Sequence, residues 1–91
     1  MNYDINWQKK ATKQLLRLAP AVQTRIVQAV GKLANSATWT NVRALVNHQY
    51  SHRLRVGDSQ VLFDADATPG EQGEVRILAV QEVRKRDEQT Y

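Results

Sequence analysis

The polar and apolar residues of the chain alternate at its start and then follow a helical period. Residues 2–7 place Tyr3, Ile5 and Trp7 on one side, which predicts a half-buried strand. Residues 8–19 then repeat apolar positions every three or four residues, with lysine and arginine opposite, as in an amphipathic helix. Pro20 breaks this pattern and suits the first turn of a second helix. The predicted apolar stripes are Ala11, Leu15 and Leu18 with Leu16 beside them, then Val22, Ile26, Ala29, Val30 and Leu33.

Two less regular segments follow the second helix. Residues 35–40 are rich in Ser, Thr and Asn and predict a loop. Trp39 within it is expected to fill an edge of the core, with stacking on a nucleic-acid base as the alternative. Residues 41–46 predict either a short helical turn or an extended link.

The stretch of residues 50–63 predicts a β-hairpin. Side chains alternate between the two sides of a strand, so Arg53 and Arg55 point the same way and Leu54 points the other way. Gly57 and Asp58 supply the turn. By the same alternation Tyr50, His52, Leu54 and Val56 share one face, and Ser51, Arg53 and Arg55 share the other.

The second half of the chain completes a small sheet. Residues 67–73 contain a Pro-Gly pair and a second glycine and predict an exposed turn. Residues 75–80 are mostly apolar and predict a central strand covered on both sides. The expected fold is α+β, a single domain over residues 1–91. Two N-terminal helices pack on one face of a mainly antiparallel four-stranded sheet in the order β-α-α-β-β-β, and Arg53 and Arg55 line the other face.

Charge is distributed unevenly along the chain. The net charge is +4, but residues 1–40 hold six basic residues and one acidic one, whereas residues 64–82 hold one basic residue and five acidic ones. A protein with separate basic and acidic surfaces can bind a polyanion with the basic one. Solvated charge on a small domain is the alternative.

Several classes of function are disfavoured by the sequence. The chain has no cysteine, so a thiolate metal site and a cysteine nucleophile are excluded. His48 and His52 have no adjacent carboxylate motif, and there is no glycine-rich phosphate loop, so we expect neither a metal nor another cofactor. No apolar run is long enough for a membrane span. The first residues do not resemble a secretory signal, so a cytoplasmic location is expected.

The motif Arg-Leu-Arg-Val-Gly-Asp at residues 53–58, followed by an apolar strand, resembles the RelE/ParE superfamily of bacterial toxins. The order of elements resembles that family too, from the opening strand and two helices to the basic residues 84–86 and the final Tyr91. This resemblance covers nearly the whole chain. It implies the toxin of a type II toxin–antitoxin pair, with a cognate antitoxin protein as partner.

The RelE branch is similar in cutting messenger RNA on the ribosome without a metal ion, using basic residues and a tyrosine. The resemblance implies catalytic roles for Arg53, Arg86 and Tyr91, with Lys85 as a substitute for Arg86. Such residues suit the chemistry, because the RNA 2′-hydroxyl is the nucleophile and arginine stabilises the charge that develops on the phosphate. The expected RNA-binding residues are His52, Arg55, Gln60, Arg84 and Lys85.

Two positions depart from the RelE pattern. Ser51 stands where some members have a lysine, and Gln60 stands where many have a phosphate-binding arginine. The loss of charge at Gln60 favours the ParE branch, whose members poison DNA gyrase by binding and are not nucleases. Arg86 and Tyr91 favour the nuclease, with mRNA and the ribosome as targets. A ribosomal-type RNA-binding module is a third possibility.

Overall fold

A computed structural model describes residues 3–35, 39–71 and 73–85. These residues form two helices and one five-stranded mixed sheet. In chain order the elements are β1 (Asp4–Trp7), α1 (Lys9–Leu16), α2 (Pro20–Asn35), β2 (Val42–Ala44), β3 (His52–Val56), β4 (Ser59–Gly70) and β5 (Gly73–Lys85). The expected α+β fold is therefore confirmed, with one strand more than the four predicted.

The sheet has the strand order β1-β5-β4-β3-β2. β1 runs parallel to β5, and the other neighbouring pairs are antiparallel. Both helices pack on one side of this sheet, which we call the helix face. We call the opposite side the arginine face; in the register it contains Arg43, Arg53, Arg55, Gln60, Leu62, Glu82 and Arg84.

The helices follow the predicted apolar stripes. Ala11 and Leu15 of α1 are buried, as are Ile26, Val30 and Leu33 of α2. α1 ends at Leu16, earlier than predicted, and Leu16 is 65% exposed. Pro20 is the first residue of α2, as expected. The core also includes Leu54, Val61, Phe63, Leu78, Val80 and Val83 from the helix face.

Trp39 fills one edge of this core, as predicted. Its ring lies 5.6 Å from that of Phe63 in an edge-to-face arrangement and 5.5 Å from that of Tyr3. Its indole N–H donates to the backbone oxygen of Leu33 at 3.0 Å. The indole is thus used in packing the end of α2 against the sheet.

The β3–β4 hairpin has the predicted turn. Gly57 has φ of +57°, a conformation that glycine adopts without steric cost. A Cβ at this position would lie 3.2 Å from a guanidinium nitrogen of Arg25, so α2 packs closely on the turn. Leu54 is 3% exposed and faces the helices, which confirms that Arg53 and Arg55 point away from them.

The segment after α2 contains the extra strand. Val42–Ala44 pairs with β3 at the edge of the sheet, so the extended form of residues 41–46 is the correct one. Asn41 and Asn47 on either side have positive φ, which asparagine tolerates better than most residues. The chain can therefore turn sharply before and after this short strand.

Two predictions for the second half of the sheet need correction. Ladder pairing of β4 with β5 continues to Gly70 and Gly73, so most of the predicted 67–73 turn is strand. β5 is an inner strand, but it is covered on one side only: Leu78 and Val80 are buried, while Val75 and Ile77 are 42% and 40% exposed. Val75 and Ile77 alternate with Leu78 and Val80, so they face the side of the sheet that the helices do not cover.

A β-bulge changes the alternation of β5. The partner of Leu62 is Glu82, whereas the partner of Phe63 is Val80, so Gln81 is an extra residue. Val80 and Val83 can then both face the helices although they are three residues apart. The bulge consequently leaves Glu82 on the arginine face. No helix among the described residues combines the length and apolarity needed to cross a membrane.

Candidate nucleic-acid interface

Cations from three strands share the arginine face. Arg43 of β2 is directly opposite Arg53 of β3. Arg55, the next residue of β3 on this face, is opposite Gln60 of β4. Gln60 is in turn opposite Arg84 of β5. Like charges directly opposite one another destabilise an antiparallel pair. The Arg43–Arg53 pair therefore costs folding free energy unless an anion binds between or beside the two side chains.

Gln60 lies between two arginines in this register. It is only 4% exposed, and its side-chain nitrogen has no hydrogen-bond partner within the described parts of the chain. A third arginine at this position would meet Arg55 and Arg84 directly. The neutral amide avoids that repulsion.

The loop between β2 and β3 folds back over part of the arginine face. Leu62 and Tyr50 are 2% and 8% exposed, although neither belongs to the core between helices and sheet. A cavity of about 270 Å³ remains between loop and sheet. Its lining consists of Arg43, Leu45, His48, Arg53, Gln60 and Leu62.

Glu82 organises the neighbouring part of the face. Its carboxylate accepts two hydrogen bonds from Arg84, at 2.9 and 3.1 Å, and one from the Tyr50 hydroxyl at 2.7 Å. Lys10 of α1 lies 3.5 Å from the same carboxylate. Burial alone would raise the pKa of Glu82, but the hydrogen bonds from Arg84 and Tyr50 and the charges of Arg84 and Lys10 lower this pKa to about 2.

The pKa of Tyr50 changes in the opposite direction. The hydrogen bond to Glu82, burial and the Glu82 charge together raise the pKa of the Tyr50 hydroxyl, more than the charge of Arg84 lowers it. Tyr50 is thus a protonated donor and Glu82 an ionised acceptor at neutral pH. This arrangement fixes the orientation of the Arg84 guanidinium.

Ser51 anchors the start of β3. Its backbone N–H donates to Asp64 at 2.8 Å, and its hydroxyl accepts the N–H of Ala65 at 3.1 Å. The hydroxyl also lies 2.8 Å from Nδ1 of His52. The side chain that stands in place of a lysine therefore holds β3 and β4 together.

The predicted RNA-binding residues divide between the two faces. Arg53, Arg55, Gln60 and Arg84 lie on the arginine face. His52 lies on the helix face, stacked on Phe63 with ring centroids 5.3 Å apart. Lys85 is opposite Ser59 on the helix side, and it lines a groove with Arg17, which follows α1, and Arg25 of α2. The last two predicted residues, Arg86 and Tyr91, lie outside the described residues.

Sequence reasoning missed several residues of this interface. Tyr50 was predicted to share a face with Leu54, but it precedes the regular strand and its hydroxyl reaches Glu82 on the other side. Glu82 and Arg84 are two apart in a strand, and this spacing was a usable signal for their pairing. Arg43 gave no such signal because the short strand that carries it was not predicted, and His48 gave none because its position depends on how the loop folds. Within the described ranges, no group of His, Asp and Glu is arranged to hold a metal ion.

Comparison with known proteins supports the fold assignment. No protein-family model matches the chain, and no curated protein matches it by sequence. A chain in the crystal structure of the toxin–antitoxin complex RelBE2 from Mycobacterium tuberculosis is similar in structure, with a TM-score of 0.69 and 17% sequence identity. The similarity covers 94% of this chain and 100% of that one. The fold expected from the resemblance to RelE/ParE toxins is therefore confirmed.

Proposed function

We propose that this protein is the toxin of a type II toxin–antitoxin system and that it inhibits translation by cleaving mRNA on the ribosome. The observation that carries this proposal is the placing of Arg43 opposite Arg53, beside the row of Arg55, Gln60 and Arg84. Such a surface favours a bound polyanion, because phosphate groups relieve the repulsion among the arginines. The fold shared with a chain of the RelBE2 complex supports the same proposal.

The proposed reaction needs no metal ion. The RNA 2′-oxygen attacks the adjacent phosphorus atom and loses its proton, the bond from phosphorus to the 5′-oxygen breaks, and the 5′-oxygen takes up a proton. The products end in a 2′,3′-cyclic phosphate and a 5′-hydroxyl. Arg53 and Arg55 would donate hydrogen bonds to the phosphate oxygens as negative charge develops.

We do not assign proton transfer to Glu82 or Tyr50. A carboxylate with a pKa of about 2 is a weak base near neutral pH, and the Tyr50 hydroxyl is engaged with it. We assign Glu82 the role of positioning Arg84 beside the phosphate. By resemblance to the RelE branch, Tyr91 would take part in proton transfer and Arg86 would stabilise the transition state.

A cognate antitoxin would neutralise this activity, as the toxin–antitoxin nature of the structural neighbour suggests. A groove of about 530 Å³ between α2 and the β2–β3 edge has the cations Arg25 and Lys32 around apolar Leu54 and Val56. An acidic, amphipathic antitoxin segment would complement it in charge and polarity. We further propose that residues 1–91 act as one domain in the cytoplasm.

The proposal is tested by inducing the protein in growing bacteria and measuring amino-acid and thymidine incorporation separately. We expect protein synthesis to stop first and new mRNA 5′-hydroxyl ends to appear. Arg53→Ala should restore growth, whereas Arg76→Ala should not, since Arg76 lies near the tip of the β4–β5 hairpin. Continued translation with intact mRNA would contradict the nuclease.

Binding and poisoning of DNA gyrase is the second candidate function. It is favoured by Gln60, which has no charge, and by Glu82, which neutralises part of the charge of Arg84. Both reduce the positive charge available to stabilise the phosphorane, in which phosphorus is bonded to both the attacking 2′-oxygen and the leaving 5′-oxygen. In the same experiment a gyrase poison would stop thymidine incorporation before amino-acid incorporation.

A further inference from the structure

The sheet has an apolar centre between two acidic residues near the tip of the β4–β5 hairpin. Ile77 is 40% exposed on the side of the sheet that the helices do not cover, and Val75 beside it is 42% exposed. The neighbouring strands place Asp4 and Asp66 directly opposite Ile77, one on each side. We call Asp4, Asp66, Val75 and Ile77 the acidic patch. It lies at the end of the arginine face that is farthest from Arg55.

The two aspartates of the acidic patch are available for contacts with another molecule. Both are exposed, and within the described ranges of the chain neither forms an ion pair. Each lies one strand away from Ile77, a distance of about 4.8 Å. The patch therefore offers apolar contact at its centre and negative charge on both sides, which suits a partner surface with apolar and basic side chains.

The outer side of α1 has that combination of side chains. Ala11 and Leu15 are buried, so Lys9, Lys13 and Leu16 on the opposite side of the helix face outward. Leu16 is 65% exposed, and neither lysine forms an ion pair with another described residue. We call Lys9, Lys13 and Leu16 the basic stripe. Lys13 is three residues from Leu16, about 4.5 Å along the helix axis, which is close to the spacing between neighbouring strands of the acidic patch.

We propose that the acidic patch of one molecule binds the basic stripe of a second copy of this chain. Leu16 of one copy packs on Ile77 of the other, and the lysines of the stripe lie beside the aspartates. Two acidic patches would repel each other, so the contact joins unlike surfaces. This inference goes beyond the proposed function and does not depend on RNA cleavage.

The positions of the two surfaces determine what kind of assembly results. The acidic patch and the basic stripe lie on opposite sides of the sheet, so one molecule cannot join its own two surfaces. After two copies have bound, one free patch and one free stripe remain. Such head-to-tail contacts continue into rings or longer assemblies.

Analytical ultracentrifugation of the purified protein over a range of concentrations tests this contact. We expect the average mass to rise above that of one chain as concentration increases, and to fall again as salt screens the charges. Leu16→Ser and Ile77→Thr each remove an exposed apolar side chain from one of the two surfaces, and each variant should remain monomeric. Val46→Ser is the control, because Val46 is 84% exposed but belongs to neither surface. It should associate as the native sequence does.

Mixing the defective variants gives a sharper test. In an equal mixture, the intact patch of Leu16→Ser can bind the intact stripe of Ile77→Thr, whereas the reverse contact has lost both apolar side chains. We therefore expect assemblies of two chains and none larger. Asp66→Lys and Lys13→Glu should each weaken association and should associate again when mixed, because the reversed charges then meet. Thermal unfolding would check that each variant is folded.

Two results would overturn the proposed contact. A protein that remained monomeric at every concentration would show that the acidic patch does not bind a second copy, and a different, basic protein would then be its partner. Association that persisted in Leu16→Ser or in Ile77→Thr would show that other surfaces join the copies. Neither result bears on the proposed nuclease, whose test is the loss of protein synthesis.

Discussion

The hydroxyl of Tyr50 donates a 2.7 Å hydrogen bond to the carboxylate of Glu82, joining two residues 32 positions apart in the chain. Tyr50 comes from the loop that crosses the arginine face, and Glu82 comes from an inner strand of the sheet. Because Glu82 also accepts two hydrogen bonds from Arg84, the loop, the strand and one of the interface cations are coupled. Loss of either partner should therefore affect both stability and RNA binding.

The first prediction concerns acid stability. The ordinary pKa of a glutamate is about 4.5, and the pKa of Glu82 in the folded protein is about 2. A lowered folded-state pKa contributes stability above the ordinary value, and that contribution disappears as pH falls through the folded value. The free energy of unfolding should thus fall by on the order of 3 kcal/mol between about pH 5 and about pH 2 through this group.

Chemical denaturation at a series of pH values would measure this effect. Glu82→Gln removes the titrating group and should flatten the pH dependence in that window. Asp66→Asn, at an exposed position of β4, is the control and should leave the dependence unchanged. An equally steep fall in Glu82→Gln would show that other carboxylates dominate.

The second prediction separates the Tyr50 hydroxyl from its ring. Tyr50→Phe keeps the buried ring but deprives Glu82 of one donor, so we expect a loss of about 1–3 kcal/mol in the free energy of unfolding. Tyr3→Phe is the control for loss of a tyrosine hydroxyl and should change stability little. If Tyr50→Phe unfolded at the same denaturant concentration as the native sequence, the hydrogen bond would contribute nothing to folding.

The hydrophobic pattern was sufficient to predict the elements that bury a regular stripe. The two helices follow the helical period closely. The strand of Tyr3, Ile5 and Trp7 and the β3–β4 hairpin follow the twofold period of a strand. In each case burial of one face sets the period. Alternation alone predicted that Leu54 and the neighbouring arginines face opposite sides of the sheet.

The remaining features depend on contacts that are distant in sequence. The bulge at Gln81 shifts the alternation of β5, and a local pattern cannot show it. Val75 and Ile77 look like core residues, but they face the side of the sheet that the helices do not cover. Tyr50 and His48 join the interface through the folding of a loop. The candidate site was thus predictable where it lies on regular strands and unpredictable where the loop completes it.

The third prediction concerns the basic C-terminal residues. If Arg86 stabilises the transition state, Arg86→Ala should slow mRNA cleavage by ~10²–10³, as expected for loss of one preorganised donor. Lys85→Ala removes a neighbouring charge from the helix face and should have a much smaller effect. Cleavage of a ribosome-bound message, followed by primer extension, would measure both rates. The reverse order of effects would assign the role to Lys85.

The last prediction concerns the salt dependence of RNA binding. Each phosphate contact made by an arginine releases counterions, so the affinity should fall steeply with salt. Removing one contact should lower the slope of log affinity against log salt by about 0.7 for single-stranded RNA. We expect this change for Arg53→Ala and for Arg55→Ala, because both side chains lie on the arginine face.

Arg76→Ala is the matched control for these variants. It removes the same charge from the tip of the β4–β5 hairpin, where Arg76 is paired with Glu74, and should leave the slope unchanged. Variants of Lys13 on α1 and of Arg17 directly after it test the other basic surface. If Arg17→Ala lowered the slope and Arg53→Ala did not, the RNA would bind the helices, and the repulsion between Arg43 and Arg53 would have to be relieved by a different anionic partner.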